Sequence, residues 1–343
     1  MGAIIYQHIP ATQPVLELTQ APGGQLIQKA TSVGFAKETG AAGAGRLSEA
    51  KDYFGAGERA FAETRYRDAA HSYRKSIDVL PTMAGYLNLG IALSFSSEPS
   101  PAEQVLHDGI QMARKNQERG FESAFFRAFG TLFANQGRLE KALTFHEGAL
   151  GIARQNCDPL GQATALDSIG WVLYEQRNLP EALEAFEGAR RVFRESRIRL
   201  GQAMTLNAIG MVYADQGRLE EALKAYQGAL QIARQTGDLF SQAASLNNIG
   251  LLRSTQGRFS DALIAYTAAL EIYRGLGHLL EQADSLSNIA ILSAKQRKTR
   301  EPLELMRTAR SIYVQIGAGT KRLRAVEETI GLADAKPGAI GKQ

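Results

Sequence analysis

The sequence is poor in the residue types on which most site chemistry is built. It holds one cysteine, Cys157, in 343 residues, which excludes an internal disulfide framework and fits a reducing compartment. Its five histidines, His8, His71, His107, His146 and His278, show no pairing at metal-ligand spacing. No glycine-rich loop follows a strand to cradle a phosphate. No apolar run approaches the length of a bilayer-crossing helix. The N-terminus lacks a basic region followed by a long apolar stretch, and Pro10 and Pro14 interrupt it early, which argues against a secretory signal. Gly2 has no Ser or Thr where a myristoylation signal needs one. The formal charge of +4 at pH 7 is small for this length; it permits an acidic partner without demanding nucleic acid. These absences predict a cytoplasmic chain with no catalytic site, no metal and no cofactor.

What is present is repetition. The stretch Ala203–Gln242 recurs without a gap at a period of 40 residues, as Ala163–Gln202 before it and Ala243–Gln282 after it. Older copies are Ser123–Gln162 and Met83–Glu122, and a decayed one begins at Ala283. A period of this size marks an array of stacked units, each burying its neighbour's face, instead of a single expanding core. Each copy reads as two helices. Leu206, Ile209, Gly210 and Tyr213 fall on one face of the first; Leu219, Ala222, Leu223, Tyr226, Ala229, Leu230 and Ala233 fall on one face of the second. Gly217 between them is the residue expected just past a helix end, with positive φ.

Small residues recur in phase: Gly90, Gly130, Gly170, Gly210 and Gly250; Ala142, Ala182, Ala222 and Ala262; Ala149, Ala189, Ala229, Ala269 and Ala309. A glycine inside a helix costs roughly 1 kcal/mol against alanine, so five in phase need a reason. A close antiparallel crossing with an aromatic beside it (Phe186, Tyr226, Tyr266) supplies one. His146 sits in the aromatic slot and reads as a packed core substitute, not a ligand.

The ordered set Leu206, Ile209, Gly210, Ala222, Tyr226, Ala229 resembles the tetratricopeptide repeat over about residues 50 to 316. One departure is informative: where that family places a proline near the end of the second helix, this chain has Arg114, Arg154, Arg194, Arg234 and Arg274. Without the proline the second helix can run on, and the array is similar to the long-repeat branch that includes kinesin light chains and bacterial signalling regulators. The resemblance implies an all-α, right-handed α-α superhelix of about seven helix-turn-helix repeats with a C-terminal capping helix.

Along the chain, residues 1–45 read as a flexible segment, with Pro22-Gly23-Gly24 and the Gly40–Gly45 run as linker composition. A first, shorter repeat covers about 50–82, with Gly57, Ala69 and Tyr73 in the Gly, Ala and aromatic slots. Ser100 with Glu103 three residues on predicts a capping box. In the seventh repeat Ala290 takes the Gly slot, and Pro302 is tolerable only in the first turn of its helix. An amphipathic segment within 317–335 predicts the capping helix, and 336–343 a tail.

In such a stack the first helices line the inner, concave wall, and residues off the packing stripe face the groove. Counted in phase, one row runs Arg127, Asp167, Asn207, Asn247, Ser287; a second Thr131, Trp171, Met211, Leu251, Ile291; a third Asn135, Glu175, Asp215, Thr255, Lys295; Asn248 and Asn288 add a fourth. The second row predicts an exposed apolar strip flanked by polar rows, as a binding groove has, and asparagines can serve the backbone of an extended peptide. The expected groove is therefore Arg127, Thr131, Asp167, Trp171, Asn207, Met211, Asp215, Asn247, Asn248, Leu251 and Asn288, with Trp171 as anchor. The alternative is that these side chains pack on neighbouring helices. The Lys/Asn/Arg clamp for chaperone tails cannot be assembled from these phases. The arginines Arg190, Arg191, Arg194, Arg197 and Arg199 read as a solvated face, and no aromatics interleave with them as a nucleic-acid platform needs. The expected function is a non-catalytic scaffold or adaptor binding a protein or peptide partner; a peptide-sensing signalling regulator and a self-associating structural protein are the alternatives.

Overall fold

The structure, a computed structural model, describes residues 41–96, 99–295, 301–316 and 323–328. Its regular elements among these residues are all helical: α1 Ala41–Ala62, α2 Tyr66–Val79, α3 Met83–Phe95, α4 Pro99–Lys115, α5 Arg119–Asn135, α6 Leu139–Gln155, α7 Pro159–Glu175, α8 Leu179–Glu195, α9 Arg199–Asp215, α10 Leu219–Thr236, α11 Leu239–Thr255, α12 Phe259–Leu276, α13 Leu279–Lys295 and α14 Glu301–Gln315. They form seven consecutive pairs, the number the sequence predicts. A further helical segment covers 323–328. The described residues divide into two compact units, one ending at Val212 and one starting at Tyr213, within α9.

From α4 to α13 every helix begins 20 residues after the previous one. The 40-residue repeat is thus two equal helix-and-turn units, a regularity that the helix-pair reading did not resolve. Each turn closes the same way. Gln117, Gly137, Cys157, Arg177, Arg197, Gly217, Gly237, Gly257 and Gly277 all have positive φ, between 51° and 77°. The next residue's N–H then returns to a carbonyl five back, as from Arg138 to Phe133, Asn178 to Leu173 and Arg218 to Tyr213. This left-handed closure satisfies carbonyls that the helix end leaves open. Only some of these positions are glycine; Cys157, Arg177 and Arg197 adopt the conformation at a cost of about 1 kcal/mol each.

Within a pair, the crossing is set by a glycine and the side chain 16 residues later. A Cβ added to Gly57 would lie 2.6 Å from the Tyr73 ring, to Gly130 2.4 Å from His146, to Gly170 2.7 Å from Phe186 and to Gly250 2.8 Å from Tyr266. At Gly90 the partner is Leu106, at 2.3 Å. The alanines of both alanine slots are fully buried, so the second helix presses its small face into the same crossing. Burying a Phe or Tyr side chain contributes about 1.5–3 kcal/mol, which exceeds the roughly 1 kcal/mol helix cost of the glycine that admits it. Where Ala290 replaces the glycine, Met306 replaces the ring, and both are buried in one apolar cluster; the unbranched methionine adapts to the added methyl.

Between pairs, one side chain recurs that the periodic reading passed over. Gln162, Gln202, Gln242 and Gln282 each donate from Nε2 to the carbonyl nine residues earlier (Ala153, Phe193, Ala233 and Tyr273, 3.1 to 3.5 Å). Each satisfies a carbonyl at the end of the preceding second helix. Glu122 holds the same slot in the third pair and cannot donate; it instead takes Arg114 and Arg119, at 2.8 Å each. Burial works against its charge, but the two arginines outweigh that and hold its carboxyl below the usual range.

Three expectations need correction. α1 begins at Ala41, so 41–45 are helical; alanine's high helix propensity outweighs the interspersed glycines. α4 begins at Pro99, which puts Ser100 inside the first turn and not at a cap. Of the expected capping helix, 323–328 is helical, with Val326 buried and Leu323 packed on the last pair; its flanks, the segment before residue 41 and the tail lie outside the described residues. Pro302 does fall in the first turn of α14.

Two glycine substitutions should separate crossing from propensity. Gly170→Ala is expected to destabilise by about 1–3 kcal/mol through overpacking on Phe186. Gly151→Ala, inside α6 with nothing within 4 Å of the added methyl, should stabilise by about 0.5–1 kcal/mol. Urea unfolding of both variants reads the difference; equal signs would contradict the crossing argument.

Candidate functional site

The predicted rows lie on the first helices, and in each unit those helices touch one another as well as their partners: α3 meets α5, α5 meets α7, and α11 meets α13. Residues off the pair stripe therefore meet the next first helix. In the first unit Asp167 is 7% exposed, Thr131, Asn207 and Met211 are buried, and Arg127 and Trp171 are half-buried. In the second, Asn247, Asn248 and Asn288 are buried, and Asp215 and Leu251 are half-buried. The second row is thus not an exposed apolar strip. The large exposed apolar side chains among the described residues are Leu239, Ile264, Leu276 and Val314, none of them in that row. The reason is the direct packing of first helix on first helix, the alternative stated for these side chains.

What the rows form is a polar seam inside each unit. In the first, the Trp171 ring sits edge-on to Phe186, centroids 5.4 Å apart, while its indole bonds the Asp167 side chain one turn earlier. Thr205 of α9 also bonds Asp167. Burial pushes the Asp167 carboxyl up to about 7, against the lowering effect of those hydrogen bonds and of Arg127. Arg127 feels burial first, which brings its guanidinium down to about 10, opposed by the charges of Asp158 and Asp167. His146 is 1% exposed, and its Nδ1 has no hydrogen-bond partner. Burial, then the Arg127 charge, holds it down to about 3, so it is neutral at pH 7. Asp158, Thr205 and His146 were outside the expected site; they belong to other phases, and only their proximity in space joins them to Arg127 and Asp167.

In the second unit the seam is made of amides. Asn288 Nδ2 donates to Asn247 Oδ1 at 3.3 Å across α11 and α13. Asn248 Nδ2 is buried without a hydrogen-bond partner. Nearby, the Tyr313 hydroxyl donates to Asp284 Oδ1 at 2.5 Å, tying α14 to α13. Among the described residues, no group of three or more His, Cys, Asp and Glu side chains could hold a metal ion, and no helix is long and apolar enough to cross a membrane.

Paired helices with a Gly–ring crossing, small residues in phase and polar first-helix faces define a helical-repeat protein of the binding kind. The chain carries tetratricopeptide repeats: that family's model matches residues 123–195 and 201–275. No curated protein sequence matches the chain. Solved structures share the fold. NprR in complex with its cognate peptide NprX is 18% identical, with a TM-score of 0.58, each chain covered over 74%. A Rap protein complexed with Competence and Sporulation Factor is 15% identical, at a TM-score of 0.58 over 84% of this chain and 87% of that one. Aspartyl phosphate phosphatase F from Bacillus subtilis is 13% identical, at 0.60 over 88% and 79%.

The seam makes stability depend on pH in a defined way. A folded-state value near 7 for Asp167, above its ordinary 3.8, means the folded state binds more protons between those values, so this group's contribution is present at low pH and lost as pH rises towards 7. His146 works in the opposite sense: held near 3, it contributes above its ordinary 6.5 and its contribution is lost as pH falls towards 3. Asp167→Asn should therefore gain stability relative to the parent as pH rises from 5 to 8, by up to a few kcal/mol. Urea unfolding at four pH values checks this; a pH-independent difference would show that Asp167 does not titrate in that window. His146→Phe, which removes the unmet Nδ1 and restores the ring used opposite Gly170, should stabilise by about 1–2 kcal/mol at pH 6.

Proposed function

We propose that the chain is a non-catalytic peptide-binding module whose first helices hold an extended segment of a partner. The observation that carries this reading is the buried, unmet Nδ2 of Asn248. A buried donor without an acceptor costs about 1–3 kcal/mol, and a peptide carbonyl would relieve that cost. The asparagine side chain offers both a donor and an acceptor, so it serves a backbone without dictating sequence. Trp171, half-buried and partly fixed by Asp167, is the proposed apolar contact of the first unit. Arg127, Thr131, Asp167, Asn207 and Met211 in that unit, with Asp215, Asn247, Leu251 and Asn288 in the second, make up the polar and packing surround.

The likeness to NprR and Rap structures that hold peptides supports a peptide ligand over a folded partner. It also favours a second reading, a peptide-sensing regulator, in which capture changes what else the chain engages. An acidic partner segment suits the exposed Arg191, Arg194 and Arg197. A cytoplasmic setting fits the single exposed thiol, Cys157.

Asn248→Ala separates ligand binding from folding. Removing an unmet donor should leave the unfolding midpoint unchanged or raise it. Capture from a random linear-peptide pool on the immobilised full chain should fall by about five- to thirtyfold in affinity. The same peptides held with the same affinity would remove the observation on which the reading stands.

A further inference from the structure

Arg127 lies half-buried on α5, and among the described residues its guanidinium makes no hydrogen bond and no ion pair. The acids that act on it do so only as nearby charges, and both are engaged elsewhere. Asp158 Oδ1 accepts from the Gly161 N–H at 3.0 Å, capping α7. Asp167 is bonded by Trp171 and Thr205. A guanidinium carries five donors in a planar fork matched to a carboxylate, and a buried one left without acceptors is costly. The other arginines with printed side-chain contacts show the contrast: Arg114 and Arg119 clasp Glu122, Arg190 takes Glu187 and Arg310 takes Glu327. Arg127 is also the in-phase counterpart of Asn247 and Asn207, so it faces the same side of its helix as the proposed ligand contacts.

We infer that Arg127 is an anion seat that receives a carboxylate of the bound ligand. This rests on the peptide-binding reading and narrows it to a peptide with an acidic group, either its own C-terminus or an Asp or Glu side chain. The seat has a built-in proton partner. Thr205 Oγ1 donates its only proton to the Gly201 carbonyl at 2.7 Å, so towards Asp167 it is placed to accept. A protonated Asp167 fits that acceptor, and an anion arriving at Arg127 favours this form by charge repulsion. The groups acting on the pair are Asp158 and Asp167 on Arg127, Arg127 on Asp167, and Arg127 on the neutral His146. Binding of the anion should therefore take up a proton, and affinity should rise as pH falls from 8 to 6.

Three pentapeptide pools test this on the full chain: free C-termini without Asp or Glu, amidated C-termini with one Asp or Glu, and amidated C-termini without acids. The parent chain should retain the first or the second pool, which identifies the source of the carboxylate, and pass the third. Arg127→Gln should weaken the retained pool by about tenfold or more, and Arg127→Lys should restore part of the loss. Thermal melts of both variants establish that they fold. Asp167→Asn should bind with an affinity independent of pH between 6 and 8. Retention of all three pools equally, lost in Asn248→Ala but not in Arg127→Gln, would overturn the anion seat and leave peptide binding standing. Retention of no pool would overturn both.

Discussion

The contact on which the rest of this structure depends is the face-to-ring crossing inside each helical pair. A glycine on the first helix lets the ring or branched chain 16 residues later lie against bare backbone, from Gly57 and Tyr73 to Gly250 and Tyr266. That approach brings both alanine slots to full burial and fixes the angle at which the second helix leaves. Everything downstream inherits it: the equal 20-residue spacing of helix starts, the left-handed turn residue and the meeting of each second helix with the following pair. Local propensity and packing disagree at these glycines, and packing wins because a buried ring is worth more than a helical glycine costs.

Much of this was legible in one sequence because the same physical demand is met several times in phase. A single glycine in a helix is ambiguous; five at one register, opposite a ring at constant separation, are not. The pairing, the number of repeats, the Gly–ring crossing and the position of Pro302 follow from that redundancy. The start of α1 at Ala41 was hidden because an alanine-glycine run satisfies both a helix and a linker by composition. The interrepeat glutamines were in plain phase, yet a polar residue at a repeat boundary carries no hydrophobic signal, and its role is visible only when the carbonyl nine residues back is located.

The polar rows show a different limit. Phase places Asp167, Asn207 and Asn247 on one side of their helices, but it does not say how near the next first helix stands. In this fold it stands near enough to bury them. A row judged exposed from one helix alone becomes a seam between two. The apolar column follows the same logic: Met211 is 3% exposed, which makes it packing surface first. Burial of amides and charges in a stack held by apolar contacts is unfavourable unless each is paired, and pairing is what distinguishes one position from another.

Substitutions at the in-phase slots then fall into two kinds. At structural slots the change is answered within reach: Ala290 comes with Met306, and Glu122, unable to donate as a glutamine does, comes with Arg114 and Arg119. In the polar rows some changes are answered, as Asn288 answers Asn247, and some are not. Arg127 keeps its donors unused, and Asn248 keeps a buried N–H without an acceptor. A stack that compensates its substitutions so consistently elsewhere leaves these two open at a standing energetic cost. That cost is relieved only by an acceptor the described residues do not provide, which is why the unmet donors, and not the apolar column, mark where a ligand belongs.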